Sequence, residues 1–296
     1  MDNNATPATV ARQAMTAPES PVLDLVCCSR LTAIVDIGAN PIDGDPPYKA
    51  MLEAGLCTVT GFEPQPDALA ELQRRKGPLE TYLPYVVGDG ESHCLTIAQA
   101  SGMSSLLRPD ARRLALFNGF TEFGAVIDEV EVVAHRLDDI DEVGEFDLLK
   151  IDIQGGELGT FRNGRRKLMS AVAVQTEISF VPLYENQPVL GEVDLELRSQ
   201  GFLPHSFTEI KRWAIAPTVF QGNFRVGQNQ LLEADMVYVR DIAYPERLTD
   251  EQLSHLAMIA FHVYGSTDLT AFCILELSRR GRTSADAGAR FYDRLG

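Results

Sequence analysis

The amino-acid sequence predicts an α/β protein built on a mostly parallel sheet with helices on both faces. Short apolar segments that end in a glycine turn or an acidic residue alternate with segments of helical periodicity. This alternation is typical of βαβ units, whose crossover connections are right-handed. The pattern changes after residue 245, where two amphipathic segments predict a C-terminal helical hairpin.

Apolar runs and helix punctuation define the first two strand–helix units. Residues 32–37 are expected to be a strand because they form an apolar run that ends in a glycine turn, and residues 57–62 are a second such run. Residues 46–55 place apolar side chains at helical spacing before a glycine stop. Residues 67–76 predict a second helix, since an acidic residue begins it and basic residues end it, as the helix dipole favours.

The middle of the chain continues the sheet around an irregular segment. Apolar and β-branched residues predict strands at 82–87 and 130–134. Residues 91–123 are rich in turn-forming residues and are expected to be largely irregular. Residues 146–151 are almost entirely apolar, which predicts a strand buried on both faces.

The last units of the sheet follow the same alternation. Residues 157–162 predict a helix that ends at an Asn-Gly break, and residues 172–178 alternate as a strand does. Residues 189–200 predict an amphipathic helix closed by a glycine, and 236–239 predict the final strand.

Helix caps and composition set the expected domain boundaries. Thr249 and Ser266 can each cap a helix of the C-terminal hairpin. These helices are expected either to cap the edge of the sheet or to form a homodimer contact. The expected organisation is a flexible leader at 1–22, the main domain at 23–245, the helical extension at 246–280 and a flexible tail at 281–296.

Composition and charge exclude several classes of protein. The formal net charge of −16 would repel the phosphates of a nucleic acid and an anionic membrane surface. No apolar segment reaches the length of a membrane-spanning helix, and the N-terminal residues lack the pattern of a secretory signal. Five cysteines without a C-x-x-C pair favour reduced thiols and a cytoplasmic location.

Glycines and polar side chains follow the predicted strands at the point where each strand ends. Ligands of open parallel sheets bind beyond these carboxyl ends, near the point where the strand order reverses. The first strand leads into residues 36–40, whose sequence is DIGAN, and its glycine lets the backbone approach a ligand closely. The second strand ends at Glu63 and Pro64, and an acidic side chain there can accept hydrogen bonds from ribose hydroxyls.

Two further carboxylates end neighbouring strands. Asp152 ends the buried strand 146–151 and precedes two glycines, and Glu177 ends the next strand. The two side chains should lie together if these strands pair, and could then orient a substrate hydroxyl, hold a cation or act as acid and base. A helix cap for Asp152 and a structural ion pair for Glu177 are the alternatives.

In their order and spacing, these motifs resemble the FkbM family of methyltransferases. The matching segments lie between about residues 30 and 240 and read VDIGAN, GFEPQP, HRLDD, LLKIDIQGGEL and VQTEISFVPLYENQP. The resemblance implies a Rossmann-like class I methyltransferase fold with a seven-stranded sheet. It also implies transfer of a methyl group from S-adenosylmethionine, usually to a hydroxyl oxygen of a sugar, glycan or natural product.

The resemblance also implies where the cofactor binds. The implied cofactor contacts are Asp36, Gly38 and Asn40 at its amino-acid end, Glu63 at the ribose with Pro64 in the same loop, Asp89 near the adenine and Asp152 near the transferring methyl. This sequence departs from the family in two places. The glycine common two positions after Asn40 is replaced by Ile42, and the glutamate common in the D-x-E-G turn is replaced by Gln154.

An alcohol oxygen becomes a good nucleophile only when a base takes its proton, so the site needs such a group. We expect Asp152 to be this base and Glu177 to steer the acceptor, with His135 or His205 as alternative bases. Mg²⁺ held by the two carboxylates is not favoured, because no third ligand is evident and no metal site is predicted.

The acceptor is expected to be a small molecule or a glycan. Residues 101–126 are expected to cover it as a lid, because long irregular loops in compact domains are often functional. Trp213 could form a wall for a sugar ring or pack beneath a loop, and Asp235 could contact the acceptor or cap a strand.

Two other functions fit the same fold. The departures at Ile42 and Gln154 leave room for a non-catalytic protein that binds a nucleoside. A nicotinamide-dependent oxidoreductase is less compatible with the sequence, since the G-x-G-x-x-G fingerprint is absent.

Overall fold

The computed structural model of the protein describes residues 20–40 and 44–295. Most of the predicted leader and the departure at Ile42 lie outside the described residues. The end of that leader is folded, because Val22 is completely buried and the Ser20 Oγ lies 2.8 Å from Nε2 of His262. The folded part of the chain therefore begins at least two residues earlier than the expected boundary at residue 23.

The described residues form two sheets and several layers of helices. The strands are β1 Thr32–Ile37, β2 Cys57–Phe62, β3 Glu80–Leu83, β4 Val86–Gly88, β5 Ser92–Ala98, β6 Val126–Arg136, β7 Leu148–Ile151, β8 Ala173–Ser179, β9 Phe202–Arg212 and β10 Leu231–Arg240. The helices are α1 Lys49–Glu53, α2 Pro66–Arg75, α3 Ala111–Leu114, α4 Phe120–Phe123, α5 Glu157–Arg162, α6 Arg165–Leu168, α7 Leu190–Ser199, α8 Asp250–His262, α9 Thr267–Arg279 and α10 Ala287–Leu295.

The predicted mostly parallel sheet is confirmed. Seven strands of the described chain pair in the order β3-β2-β1-β7-β8-β10-β9, and β10 runs antiparallel to both of its neighbours. The strand order reverses between β1 and β7, which is where an open sheet of this kind binds its ligand. A smaller sheet, β4-β6-β5, follows the third strand of the main sheet in the chain.

Two apolar cores cover the two faces of the main sheet. On one face, Ile34, Leu148 and Val237 pack with α8 and α9. On the other face, Val35 and Leu149 pack with α5, α6 and α7. Successive residues of a strand point to opposite faces, so neighbours such as Ile34 and Val35 belong to different cores.

The structure corrects the predicted strand at 82–87. This segment is two strands, because Pro84 interrupts it and proline has no amide hydrogen for a ladder. β3 joins the edge of the main sheet, whereas β4 joins the smaller sheet. The chain thus passes from one sheet to the other within a run that looks continuous in sequence.

Two strands lie where none was predicted. β5 lies in the segment 91–123 that was expected to be irregular, and β9 forms one edge of the main sheet. Most side chains of both strands are at least partly exposed, so the apolar run that marks a buried strand is missing from their sequences.

The predicted helical hairpin is confirmed, and a third helix follows it. Thr249 caps α8 through a reciprocal pair of hydrogen bonds with Gln252. The hairpin packs on a face of the sheet instead of capping its edge. The expectation of a flexible tail at 281–296 is wrong for α10, because the buried Phe291 anchors this helix and Arg294 pairs with Asp24.

None of the described helices is long and apolar enough to span a lipid bilayer.

We predict that the C-terminal helix α10 contributes to the stability of the whole domain. Phe291→Ala removes a completely buried ring and should lower the free energy of unfolding by about 3–5 kcal/mol, measured by urea denaturation. Tyr292→Ala is the matched control, since this neighbouring side chain is 55% exposed and its loss should cost little. Equal losses in the two variants would contradict the packing of α10.

Candidate active site

A cleft opens at the carboxyl ends of β1, β2 and β7, where the strand order reverses. Its lining comes from the loops after these three strands and from the segment after β5. The polar lining side chains are Asn40, Glu63, Gln65, Ser101, Ser104, Ser105, Asp152 and Gln154, and the apolar walls include Phe62, Tyr85, Val86, Val87, Leu95, Leu106 and Ile153. The cleft therefore combines apolar walls with a few convergent polar groups, as small-molecule sites do.

The loops after β1 and β7 are in direct backbone contact at Gly38. This glycine has a φ of +82°, and a Cβ atom added to it would lie 2.0 Å from the carbonyl oxygen of Asp152. Any side chain at this position would clash with the neighbouring loop. The predicted glycine turn is thus required both by its conformation and by its contact with Asp152.

Asp36 lies beneath this turn and does not line the cleft. Its Oδ2 accepts a hydrogen bond of 2.6 Å from the Tyr48 hydroxyl, and its Oδ1 lies 3.3 Å from Nζ of Lys150. Burial raises the pKa of Asp36, while Lys150 and Tyr48 stabilise the charged form. Nζ of Lys150 also donates to the carbonyl oxygen of Gly38, so this group of residues fixes the turn.

Glu63 places a buried carboxylate on the wall of the cleft. The Oε1 of Glu63 accepts a hydrogen bond of 2.7 Å from the backbone N–H of Gln65, and Glu63 is only 2% exposed. Burial raises the pKa of Glu63, and the hydrogen bond from Gln65 partly opposes this shift. Gly38, Asn40, Pro64 and Asp152 also line the cleft, so five of the predicted cofactor contacts converge there.

Gln154 joins the two carboxylates that were predicted to lie together. Its Nε2 donates to Oδ1 of Asp152 over 3.0 Å and to Oε1 of Glu177 over 3.2 Å. The amide is oriented by Tyr184, whose hydroxyl donates to the Gln154 Oε1 over 3.2 Å. Gln154 has a φ of +56°, a conformation that is uncommon for a residue with a side chain and often marks a functional site.

The two carboxylates differ in their surroundings. Asp152 is partly exposed and lines the cleft, whereas Glu177 is 5% exposed and lies behind Gln154. Burial raises the pKa of Glu177 well above its ordinary value, and the negative charge of Asp152 raises it further. Nζ of Lys211, 4.0 Å from Oε2 of Glu177, opposes this shift, so burial and the neighbouring carboxylate disfavour a full negative charge on Glu177 while Lys211 favours it.

Other predicted site residues lie outside the lining of the cleft. Asp89 follows β4 and accepts hydrogen bonds from Nε2 of His93 and the N–H of Glu91. The ring of His135 packs against that of Tyr85 at 4.7 Å, and Nε2 of His205 lies 2.9 Å from Oγ of Ser266. Asp89, His135 and His205 therefore each contact other side chains, and none of the three lines the cleft.

Only the beginning of the segment 101–126 borders the cleft. Ser105 lines it, and the Oγ of Ser105 donates to the carbonyl oxygen of Gln154 over 2.7 Å. Further along, Phe120 packs edge-on against Trp213 at 4.8 Å. Trp213 is therefore part of an aromatic cluster beside the site, and its role as a wall for a sugar ring stays a prediction.

Lys150 and Ser105 are the site residues that the sequence predictions missed. Lys150 had a usable signal, because it is the only charged residue between Leu148 and Ile151 in a strand with buried neighbours on both sides. A lysine in that position needs a carboxylate partner. Ser105 had no such signal, since its contact with Gln154 depends on how β5 and β6 fold over the cleft.

In the part of the chain that the structure describes, no three His, Cys, Asp or Glu side chains are grouped in a way that could hold a metal ion.

Comparisons with known proteins agree on the class of enzyme. A family model described as the methyltransferase FkbM domain matches residues 36–204. The 2-O-methyltransferase NoeI of Sinorhizobium fredii (strain NBRC 101917 / NGR234) is 28% identical over 181 residues, which cover 55% of this chain and 70% of that protein.

Two solved structures of methyltransferases are also similar. Precorrin-6y C5,15-methyltransferase from Geobacter metallireducens GS-15 is 12% identical with a TM-score of 0.37, over 79% of this chain and 94% of that chain. Magnesium protoporphyrin IX methyltransferase from Synechocystis PCC 6803, solved with bound SAM, is 10% identical with a TM-score of 0.36, over 74% of this chain and 72% of that chain. Because the family model covers more than half of the sequence and includes every residue that forms the Gly38 turn and the Asp152–Gln154–Glu177 group, the protein belongs to the FkbM family and is a methyltransferase.

Proposed function

We propose that this protein transfers a methyl group from S-adenosylmethionine to a hydroxyl oxygen of a sugar, glycan or other natural product. One observation carries the proposal: the loop that holds Asp152 is in backbone contact with the Gly38 turn, on the same cleft as the buried carboxylate of Glu63. A nucleoside cofactor and a base for the acceptor therefore have places within a single cleft.

The residues of the cleft fit an adenosine-containing cofactor. Glu63 presents a carboxylate that can accept hydrogen bonds from ribose hydroxyls, and Gly38 lets the backbone approach the ligand closely. The apolar walls, including Tyr85 and Val87, suit an adenine ring. Asp89 is not part of this wall, so we assign adenine contact to these apolar side chains instead.

Asp152 is the best-placed group to accept the proton of the acceptor hydroxyl. When bound, the cofactor supplies the electrophilic methyl carbon. Gln154 donates to Oδ1 of Asp152, and Asp152 lines the cleft, so Oδ2 is the carboxylate oxygen that we assign to the proton transfer. Glu177 lies behind Gln154 and accepts a hydrogen bond from its amide, which keeps the amide in place beside Asp152, and burial raises the pKa of this second carboxyl group.

Transfer to oxygen is supported by chemistry and by the relative NoeI. The site offers a carboxylate base, which is what an alcohol acceptor requires. NoeI is named as a 2-O-methyltransferase, and we extend transfer to oxygen to this chain as part of the proposal.

We further propose a cytoplasmic location, which the state of the cysteines supports. All five cysteines are unpaired in the structure, as is usual in a reducing compartment. A homodimer contact through the C-terminal helices stays a prediction.

We predict that S-adenosylhomocysteine binds and that Glu63 contributes to its affinity. Glu63→Gln keeps the acceptor for the Gln65 N–H but removes the charge, so the dissociation constant should rise about 10- to 100-fold in isothermal titration. Glu91→Gln is the control, since Glu91 is exposed and outside the cleft. Unchanged affinity in Glu63→Gln would contradict its place at the ribose, and no binding to the wild type would contradict the proposed cofactor.

We predict that Gly38 is required for the cofactor site. Gly38→Ala should abolish binding of S-adenosylhomocysteine, because its Cβ would force the Asp152 loop away. Gly55→Ala is a matched control, since Gly55 also has a positive φ of +69° but has open space around it. Thermal-shift assays with and without ligand measure both stability and binding, and a similar ligand-induced shift in the two variants would argue against the prediction.

We predict that Asp152 and Gln154 affect turnover more than cofactor binding. Asp152→Asn should lower kcat about 10²- to 10⁴-fold, the usual contribution of a general base. Gln154→Glu replaces the bridging donor by a third carboxyl group and should lower kcat at least about tenfold. Gln228→Glu adds the same charge at an exposed position and should leave kcat unchanged. Wild-type turnover in Asp152→Asn would remove this residue from the mechanism.

A further inference from the structure

The sheet face that packs against α8 changes from apolar to polar along its strands. Ile34, Leu148 and Ala173 lie in the apolar core of this face. Two residues further along the same strands, and thus on the same face, the side chains are those of Asp36, Lys150 and Gln175. The apolar core therefore ends before the carboxyl ends of the strands, and a row of polar side chains begins there.

Neighbouring strands extend this polar row toward the far side of the sheet. Asp152 and Glu177 follow Lys150 and Gln175 by two residues, and Asp235 of β10 pairs directly with Glu177. Burial and the negative charge of Asp152 together raise the pKa of Asp235 to about 6, against the opposing charges of Lys211 and Lys150. Asp235 is therefore close enough to Asp152, the proposed base, for the two carboxyl groups to influence each other. The side chain of Asp235 is partly exposed.

Buried polar atoms without partners mark the same region. Among the described residues, the buried side-chain atoms that lack a hydrogen-bond partner are Oδ1 of Asp36, Oε1 of Gln175 and the hydroxyl oxygen of Tyr264. Asp36 is compensated by the charge of Lys150. Gln175 and Tyr264 have no such compensation, and an unsatisfied buried polar group costs about 1–3 kcal/mol.

The unpartnered oxygen of Gln175 is held in place by the other end of its amide. The residue is 5% exposed, and its Nε2 donates to Oγ1 of Thr208 on β9 over 3.4 Å. Because the amide is anchored at its nitrogen, Oε1 remains as an acceptor that folding does not use. Such a group is expected where a ligand supplies the missing donor.

Tyr264 reaches this region from the turn between α8 and α9. Ser266 fixes the turn to β9, because its Oγ lies 2.9 Å from Nε2 of His205. Because β9 pairs with β10, this contact brings the turn, with Tyr264 two residues before Ser266, to the side of the sheet that carries Asp235. Burial raises the pKa of Tyr264 and the charge of Asp235 adds to the shift, so its hydroxyl keeps its proton. The C-terminal hairpin thus delivers a hydroxyl group to the polar row.

We propose that Gln175, Asp235 and Tyr264 form a subsite that binds non-reacting hydroxyl or amino groups of the methyl acceptor beside Asp152. The inference rests on the proposed function, since it takes Asp152 as the base. Gln175 and Asp235 accept hydrogen bonds in this subsite, and the hydroxyl of Tyr264 can donate or accept.

The charges around the subsite define the class of acceptor. Carboxyl groups of Asp152, Glu177 and Asp235 surround it. Lys150 pairs with Asp36, and Nζ of Lys211 lies 2.8 Å from Oε1 of Glu233 and 4.0 Å from Oε2 of Glu177, so both lysines already have carboxylate partners. A phosphate or carboxylate would be repelled at this position. The end of the acceptor that enters the site is therefore neutral or carries an amino group, which among the acceptors of the proposed function is met by a neutral or amino-bearing glycoside.

Part of the subsite lies outside the region that the family model matches. That region ends at residue 204, whereas Asp235 and Tyr264 come later in the chain. In this proposal, the residues that select the acceptor come partly from the segment after residue 204, whereas the residues that transfer the methyl group come from the region that the family model matches.

Titration of glycosides in the presence and absence of S-adenosylhomocysteine tests the subsite. The probes are methyl glucoside, methyl 2-amino-2-deoxyglucoside and methyl glucuronide, and transfer of tritium from labelled S-adenosylmethionine measures turnover on each. We expect the wild type to bind the neutral and amino glycosides at least about tenfold more tightly than the glucuronide.

Tyr264→Phe is the critical variant because it removes only the unpartnered hydroxyl. It should weaken glycoside binding about two- to tenfold, the effect of one hydrogen bond, and leave the affinity for S-adenosylhomocysteine unchanged. Its melting temperature should be equal to or above that of the wild type, which a merely structural tyrosine would not show. Asp235→Asn should reduce the preference for the amino glycoside over the neutral one.

A control variant and three contrary outcomes complete the experiment. Tyr292→Phe alters an exposed tyrosine and should change neither glycoside nor cofactor binding. Wild-type glycoside binding in both Tyr264→Phe and Asp235→Asn overturns the proposal, as does tighter binding of the glucuronide or binding of no glycoside at all. Failure of the proposed function is distinct, because it appears as loss of S-adenosylhomocysteine binding and of tritium transfer, whereas the titrations without that ligand still test the subsite.

Discussion

The buried ion pair between Asp36 and Lys150 is the constraint on which the site depends. It joins β1 to β7 where the strand order reverses, and Lys150 also donates to the carbonyl oxygen of Gly38. Burying two charges is costly, and removal of one partner of such a pair costs about 3–5 kcal/mol. Loss of either residue would therefore leave a buried charge without a partner. The pair also fixes the Gly38 turn, against which the loop of Asp152 packs.

A second constraint is the amide of Gln154, which lies between the carboxyl groups of Asp152 and Glu177. Gln154 occupies a left-handed backbone conformation and uses one amide to join two carboxyl groups. Glutamate at this position would place three carboxyl groups together without a shared donor. The amide of Gln154 bridges the two carboxyl groups, and burial raises the pKa of Glu177, which disfavours a second negative charge beside Asp152.

The face of the sheet that packs against α8 has two halves. One half is apolar and stabilises the domain, and the other is polar and belongs to the proposed recognition of the acceptor. Toward the amino ends of the parallel strands, apolar side chains pack with α8 and α9. Toward the carboxyl ends, the same face carries polar side chains, of which Asp36 and Gln175 each keep a buried oxygen without a hydrogen-bond partner. This division lets the C-terminal hairpin stabilise the domain while its turn, at Tyr264, contributes to the proposed acceptor subsite.

The sequence by itself determined the fold class, the bounds of β1 and β2, and the convergence of Gly38, Glu63 and Asp152 on one sheet edge. These follow from local patterns, because apolar periodicity sets the strands and parallel strands bring their carboxyl ends together. Tertiary structure alone decided that 82–87 splits between two sheets, that 287–295 is a packed helix, that Lys150 and Ser105 contact the loops of the site and that the hydroxyl of Tyr264 is buried without a partner. Each of these depends on contacts between residues far apart in the chain, which leave no periodic signal in the sequence around them.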